Sequence, residues 1–181
     1  MDIIRPIFSA DDLSHMPDDG KRYEVLEGDL AVSPAPNRRH QRLVLNCVDF
    51  FRTLEQRGLG EVYTAPFDVV LDDHNVVEPD VLFVRQERLD IVTDANVQGA
   101  PDIVVEILSP DTRDRDLTVK ARLYARFGVP EYWVIDPDNQ TLTAYRLVDA
   151  GYQPYGPYSV GDTMVSPLFP DDPLSVAAVL R

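Results

Sequence analysis

The run Ile103-Val104-Val105-Glu106-Ile107-Leu108 is apolar and largely β-branched, except for one acid. A strand without alternation reads as one covered on both faces, so this run predicts the centre of a sheet with packed layers on either side. The acid inside it is the constraint. A buried carboxylate costs several kcal/mol unless it is paired, hydrogen-bonded or bound to a metal. The stretch VVEPDVLFV, residues 76–84, repeats the anomaly around Asp80. Two acids on apolar strands point to a shared partner, and a divalent cation meets that need.

The rest of the chain bounds this idea. Its 181 residues suit one domain, residues 1–181, with enough apolar content (44%) to bury a core without disulfides. No apolar run is long enough to span a bilayer, and the N-terminal MDIIRPIFSADDL lacks a secretory pattern, so a cytoplasmic setting is expected. The lone Cys47 reads as a core thiol. A net charge of −14 argues against tight nonspecific binding to nucleic acid. It leaves room for a nuclease, whose site is itself acidic and whose cations need only be local. No zinc-ligand spacing, phosphate loop or serine nucleophile elbow is present.

In order, the pattern predicts a short helix from Ser9, stopped by Pro17, and a hairpin of residues 23–26 and 30–32 turning at Gly28. Glu24 then stands on a strand, facing either water or the interior. Apolar residues at helical spacing predict a helix over 38–56, ended by Gly58 and Gly60. Strands follow at 62–65, 67–71 and 81–84, the last two expected to pair across the turn at 72–75. After the central strand comes a helix over 113–127 closed by Gly128, then strands at 131–136 and 141–147. An edge strand near Tyr152 and a helix over 175–180 end the chain. The fold class is α/β, with a mixed sheet flanked by helices.

The helix at 113–127 holds a second anomaly. At about 100° per residue, Leu117, Ala121 and Tyr124 share the inward face, and Lys120 falls within that arc. Arg115, Arg122 and Arg126 project the other way. An inward lysine needs an acidic partner, and the helix can bring it toward Asp80 and Glu106. Near the head of the long helix, Arg38, Arg39, His40 and Arg42 form the best basic patch of an acidic chain. Arg38, Arg39 and His40 are candidate nucleic-acid contacts, although His40 can equally cap the helix and charge clusters are usually solvated.

Pro79-Asp80, then Glu106 on a later strand, then a lysine, resembles the PD-(D/E)xK nuclease superfamily. Within it, YEVLEG, APNRRHQ, EPDVLFV, PDIVVEILSP and KARLYARFGVPEYWVID, in this order, resemble the Uma-two family of restriction-endonuclease-like proteins. The resemblance covers residues 9–175. It implies a restriction-endonuclease-like fold and Mg²⁺-dependent hydrolysis of DNA phosphodiester bonds, with Mn²⁺ able to substitute. It also implies catalytic roles for Asp80, Glu106, Lys120 and the upstream Glu24, with Asp80, Glu106 and the Ile107 carbonyl as metal ligands. The superfamily commonly carries lysine two residues after the second acid. Here that position is Leu108, and the lysine has moved to Lys120, a feature the Uma-type proteins share.

Three functions remain open at this point: a DNA endonuclease, a nuclease fold kept for binding or oligomerisation, and a phosphodiesterase for small nucleotides. A homodimer is compatible with each. Glu106 and Lys120 are either catalytic or a structural ion pair. On the catalytic reading, alanine at Asp80, Glu106 or Lys120 is expected to abolish cleavage and spare the fold.

Overall fold

The chain, in a computed structural model, is described over residues 7–181 and is built on two principal sheets. A single turn, α1 (Ala10–Leu13), opens it, with the Ser9 amide donating to the Asp12 carboxylate at 2.8 Å. β1 (Arg22–Leu26) and β2 (Asp29–Ser33) form the expected hairpin. Its two turn residues, Glu27 (φ 53°) and Gly28 (φ 81°), take the left-handed conformation that a two-residue hairpin turn requires. α2 (Arg38–Gln56) starts at Asn37, whose side chain accepts from the His40 amide at 3.0 Å, and ends just before Gly58.

β3 (Gly60–Thr64), β4 (Asp68–Asp72), β5 (Asn75–Val77) and β6 (Val81–Arg85) follow. A 3₁₀ segment (Gln86–Ile91) and β7 (Asn96–Gln98) lead to β8 (Ile103–Ile107). The next helix has three parts: α3 (Arg113–Arg115), a π-helical turn (Asp116–Lys120) and α4 (Ala121–Arg126). β9 (Glu131–Asp136), β10 (Thr141–Val148), β11 (Gly151–Ser159), the hairpin of β12 (Thr163–Ser166) and β13 (Phe169–Ser175), and α5 (Val176–Leu180) complete the chain.

The larger sheet has the order β11-β10-β9-β8-β6-β3, with only β8 and β9 parallel, joined by the helical crossover. β8 is central, and all five of its residues are buried. Ile103, Val105 and Ile107 face α2, where Phe51 stacks between Phe83 and Trp133 at centroid distances of 5.3 and 5.2 Å. Val104 and Leu108 face the other way, packing with Leu123 and Tyr124 of α4 and with Leu26, Val69 and Val77 of the second sheet. That sheet has the order β2-β1-β5-β4-β7.

Residues 67–71 and 81–84 do not pair, contrary to expectation. The turn between them closes on β5, which pairs with β4 and with β1, and β6 then crosses to the larger sheet. β5 has three residues, too few to display a period, and Pro79 cannot donate a ladder hydrogen bond, so the chain changes sheet there.

Candidate active site

The sheet register brings the two anomalous acids together. Val81 pairs with Val105 in antiparallel β6 and β8, so Asp80, just before β6, stands beside Glu106. Each is 2% exposed. By alternation Glu106 shares the face of Val104 and Leu108, beneath the helical crossover. The Ile107 amide donates to Asp80 Oδ2 at 2.8 Å. A residue in an extended strand directs its N–H and C=O to the same edge, so the Ile107 carbonyl faces the Asp80 side as well.

Asp80 is saturated by donors. Arg22 Nη1 from β1 lies 2.6 Å from its Oδ1, and His40 Nε2 from the head of α2 lies 3.0 Å from its Oδ2. Lys120 Nζ lies 2.6 Å from Glu106 Oε1 and 2.8 Å from Glu24 Oε1, with Asp116 Oδ1 at 3.9 Å. The Tyr124 hydroxyl donates to Glu106 Oε1 at 2.6 Å, and the Glu78 amide to Glu24 Oε1 at 2.9 Å. Arg115 Nη2 stands 3.8 Å from Glu24 Oε2.

The helix reaches this arrangement through its π-helical turn. Widening one turn places Thr112, Asp116 and Lys120 on the buried side, where a regular helix would carry Leu117, which is instead 39% exposed. Arg115, expected outward, is drawn partly inward by Glu24; Arg122 and Arg126 are exposed as expected.

Acid exceeds base here. Glu24, Asp68, Glu78, Asp80, Glu106 and Asp116 share three full cations, Arg22, Arg115 and Lys120, together with the His40 imidazole. Burial alone would raise Glu24 and Asp80, yet Lys120 holds the first below the usual carboxylate value, and His40 and Arg22 hold the second there. At Glu106 burial and the neighbouring acids outweigh Lys120 and push it up to about 8; burial likewise pushes Glu78 up to about 7 and raises Asp68 and Asp116. Burial would lower Lys120, but Glu106, Glu24 and Asp116 keep it well above its ordinary value.

These shifts give stability a pH dependence. Glu78 and Glu106 bind protons more tightly folded than unfolded, so their contribution is full below about pH 4.5 and is lost as pH rises through about 7 and 8. The melting temperature should therefore fall between about pH 5 and 8. Glu78→Gln should flatten that fall, since it removes one of the two groups; circular dichroism melts of both proteins would check this, and identical slopes would contradict it.

The structure thus brings Asp80, Glu106, Lys120, Glu24, Ile107 and His40 into one cluster. Arg38 and Arg39 remain on the surface, Arg39 pairing with Asp138 at 3.2 Å. Sequence reasoning missed Arg22, Asp116 and Tyr124. Asp116 carried a signal, since it lies four residues before Lys120 and so on its face of a helix. Arg22 carried none, because its partner is 58 residues away on the other sheet.

Comparison with known proteins agrees with this architecture. The family model Uma2, described as "Putative restriction endonuclease", matches residues 10–177. A crystal structure of "a putative nuclease belonging to DUF820" from Anabaena variabilis has a similar fold, with a TM-score of 0.78 over 96% of this chain and 97% of that one, at 21% identity. No curated protein matches.

Proposed function

Since the chain belongs to the Uma2 family, we propose that it is a Mg²⁺-dependent endonuclease that hydrolyses DNA phosphodiester bonds. The observation that carries this reading is the pairing of Asp80 with Glu106 on adjacent buried strands, in a cluster with more acids than cations. Among the described residues, no three His, Cys, Asp or Glu side chains are arranged to hold a metal ion. The donor set is instead two carboxylates, Asp80 and Glu106, and the Ile107 carbonyl. That set fits Mg²⁺, which takes hard oxygen ligands and is held by one or two carboxylates with water and substrate phosphate completing its shell. Bound there, the cation would polarise the phosphoryl group and acidify a water.

The chain's own residues prepare this chemistry. Lys120 orients Glu106 and sets a positive charge where a phosphoryl transition state gains negative charge. Glu24 holds Lys120 in that position, and the Tyr124 hydroxyl donates to the same Glu106 oxygen, Oε1, that the lysine contacts. Arg22 and His40 hold Asp80, and either must yield a carboxylate oxygen to the cation. Arg38 and Arg39, exposed at the head of α2, contact the phosphate backbone outside the reacting centre, while His40 serves Asp80 within it.

One observation favours a second reading. Lys120 is already matched by carboxylates, as in a structural ion cluster, which suits a nuclease fold kept for binding. Calorimetric titration separates the two. The nuclease reading expects Mn²⁺ and Mg²⁺ to bind the wild type and Asp80→Asn to weaken both about tenfold or more, whereas a purely structural cluster binds neither ion.

A further inference from the structure

Two cavities meet beside Asp80 and the end of the Glu106 strand. The first, 420 Å³, is lined by Asn37 and Arg39 at the head of α2, by Ser109 after β8 and by Asp138 after β9. It lies at the carboxyl ends of the two parallel strands, where open α/β sheets receive ligands. The second, 540 Å³, is lined by Lys21, Val44, Leu45, Pro66 and Asp80. Arg22, Pro36 and His40 line both, so the cavities abut along one ridge. Asp80 opens onto the second cavity, and the residues following Glu106 and Ile107 open onto the first. A chain crossing the ridge therefore passes Asp80 on one side and Leu108 and Ser109, which follow Glu106 and Ile107, on the other.

The two cavities differ in character. Val44, Leu45 and Pro66 give the second an apolar wall, and Leu45 is 55% exposed, a large apolar side chain that the fold leaves uncovered. The first is mixed, with Asn37, Arg39, Ser109 and Asp138 set among prolines, and receives the positive end of α2. His40, nine-tenths buried between them, leaves its Nδ1 without a hydrogen-bond partner. Three of the chain's cations, Lys21, Arg22 and Arg39, line the two cavities in a protein of net charge −14. Each cavity is of small-ligand size. Duplex binding draws on phosphate contacts spread along two strands, which an acidic surface opposes outside this patch. A single strand needs only a short positive track and an apolar face for a base.

Resting on the nuclease reading above, we propose that the substrate is single-stranded DNA, laid across the ridge of Arg22, Pro36 and His40. One nucleotide occupies each cavity, and the base in the second packs on Val44 and Leu45. Leu45→Glu and Arg39→Glu alter exposed side chains, one in each cavity, and leave the core untouched.

The test is fluorescence anisotropy of a short labelled oligothymidylate and of the matching duplex, with Mn²⁺-dependent cleavage followed in parallel. The wild type should bind the single strand at least about tenfold more tightly than the duplex, and each variant should weaken it about tenfold. Equal or tighter binding of duplex, or wild-type affinity in Leu45→Glu, overturns the proposal while leaving the nuclease reading intact. If nothing is cleaved, the nuclease reading fails; single-strand binding that both variants weaken then still upholds the groove, and its absence overturns that too.

Discussion

A Lys120→Met protein is expected to lose about 3–5 kcal/mol of stability, the cost of leaving buried charge without its partner. Lys120 is 2% exposed, and its ammonium stands within 2.8 Å of two carboxylates, with a third at 3.9 Å. Without it, Glu24, Glu106 and Asp116 face one another across a dry site. Their remaining recourse is to take up protons, which is easier at low pH, so the loss should be larger at pH 8 than at pH 5. Urea unfolding at the two pH values would measure it. Unchanged stability at both would mean that water reaches the cluster and the lysine is dispensable to the fold. The burial of this lysine argues against the simple expectation that it can be removed without harm to the fold.

The centre of the site was legible because its anomalies are local. An acid in an apolar strand and a lysine in an apolar arc conflict with their own neighbours, and such conflict is visible without knowing what lies across the fold. The long helix, its glycine stop and the β1–β2 hairpin were legible for the same reason: period, cap and turn chemistry act over a few residues. The rest depended on distant partners. Arg22 is an ordinary strand arginine until β1 is set against the end of β6. The π-helical turn was invisible because a regular helical phase puts Lys120 inward too; the phases differ most at Leu117, which a regular helix would bury and this one leaves exposed. β5 and the β12–β13 hairpin are short or polar, and pairing rather than periodicity defines them.

The cluster also separates two meanings of a buried acid. Glu131 is 1% exposed and lies within the same sheet, yet it faces four neutral donors, from Trp133, Tyr155, Ser166 and the Leu168 amide. Its oxygens are satisfied by hydrogen bonds, and it ties β9 to β11 and to the β12–β13 hairpin. Glu106 has one hydroxyl and a lysine that it shares with two other acids. The first is a solved structural problem; the second is a site with negative charge to spare, which suits a cation.

Glu106→Gln turns that contrast into the most direct test of function. Glutamine keeps the shape of the side chain, and its carbonyl oxygen can still accept from Tyr124 and Lys120. It removes one charge from a crowded acidic cluster, so stability at pH 8 should be unchanged or slightly higher than in the wild type. Metal binding and cleavage should collapse, the latter about a thousandfold, equivalent to about 4 kcal/mol of transition-state stabilisation. A merely structural Glu106–Lys120 pair predicts the reverse, with stability lost and cleavage intact. Cleavage within about tenfold of the wild type would therefore rule out a ligand role for Glu106. The double variant adds an internal control. Because Lys120→Met strands Glu106 as a charge and Glu106→Gln neutralises it, the pair should be more stable than Lys120→Met alone, a non-additivity expected only where the two side chains meet.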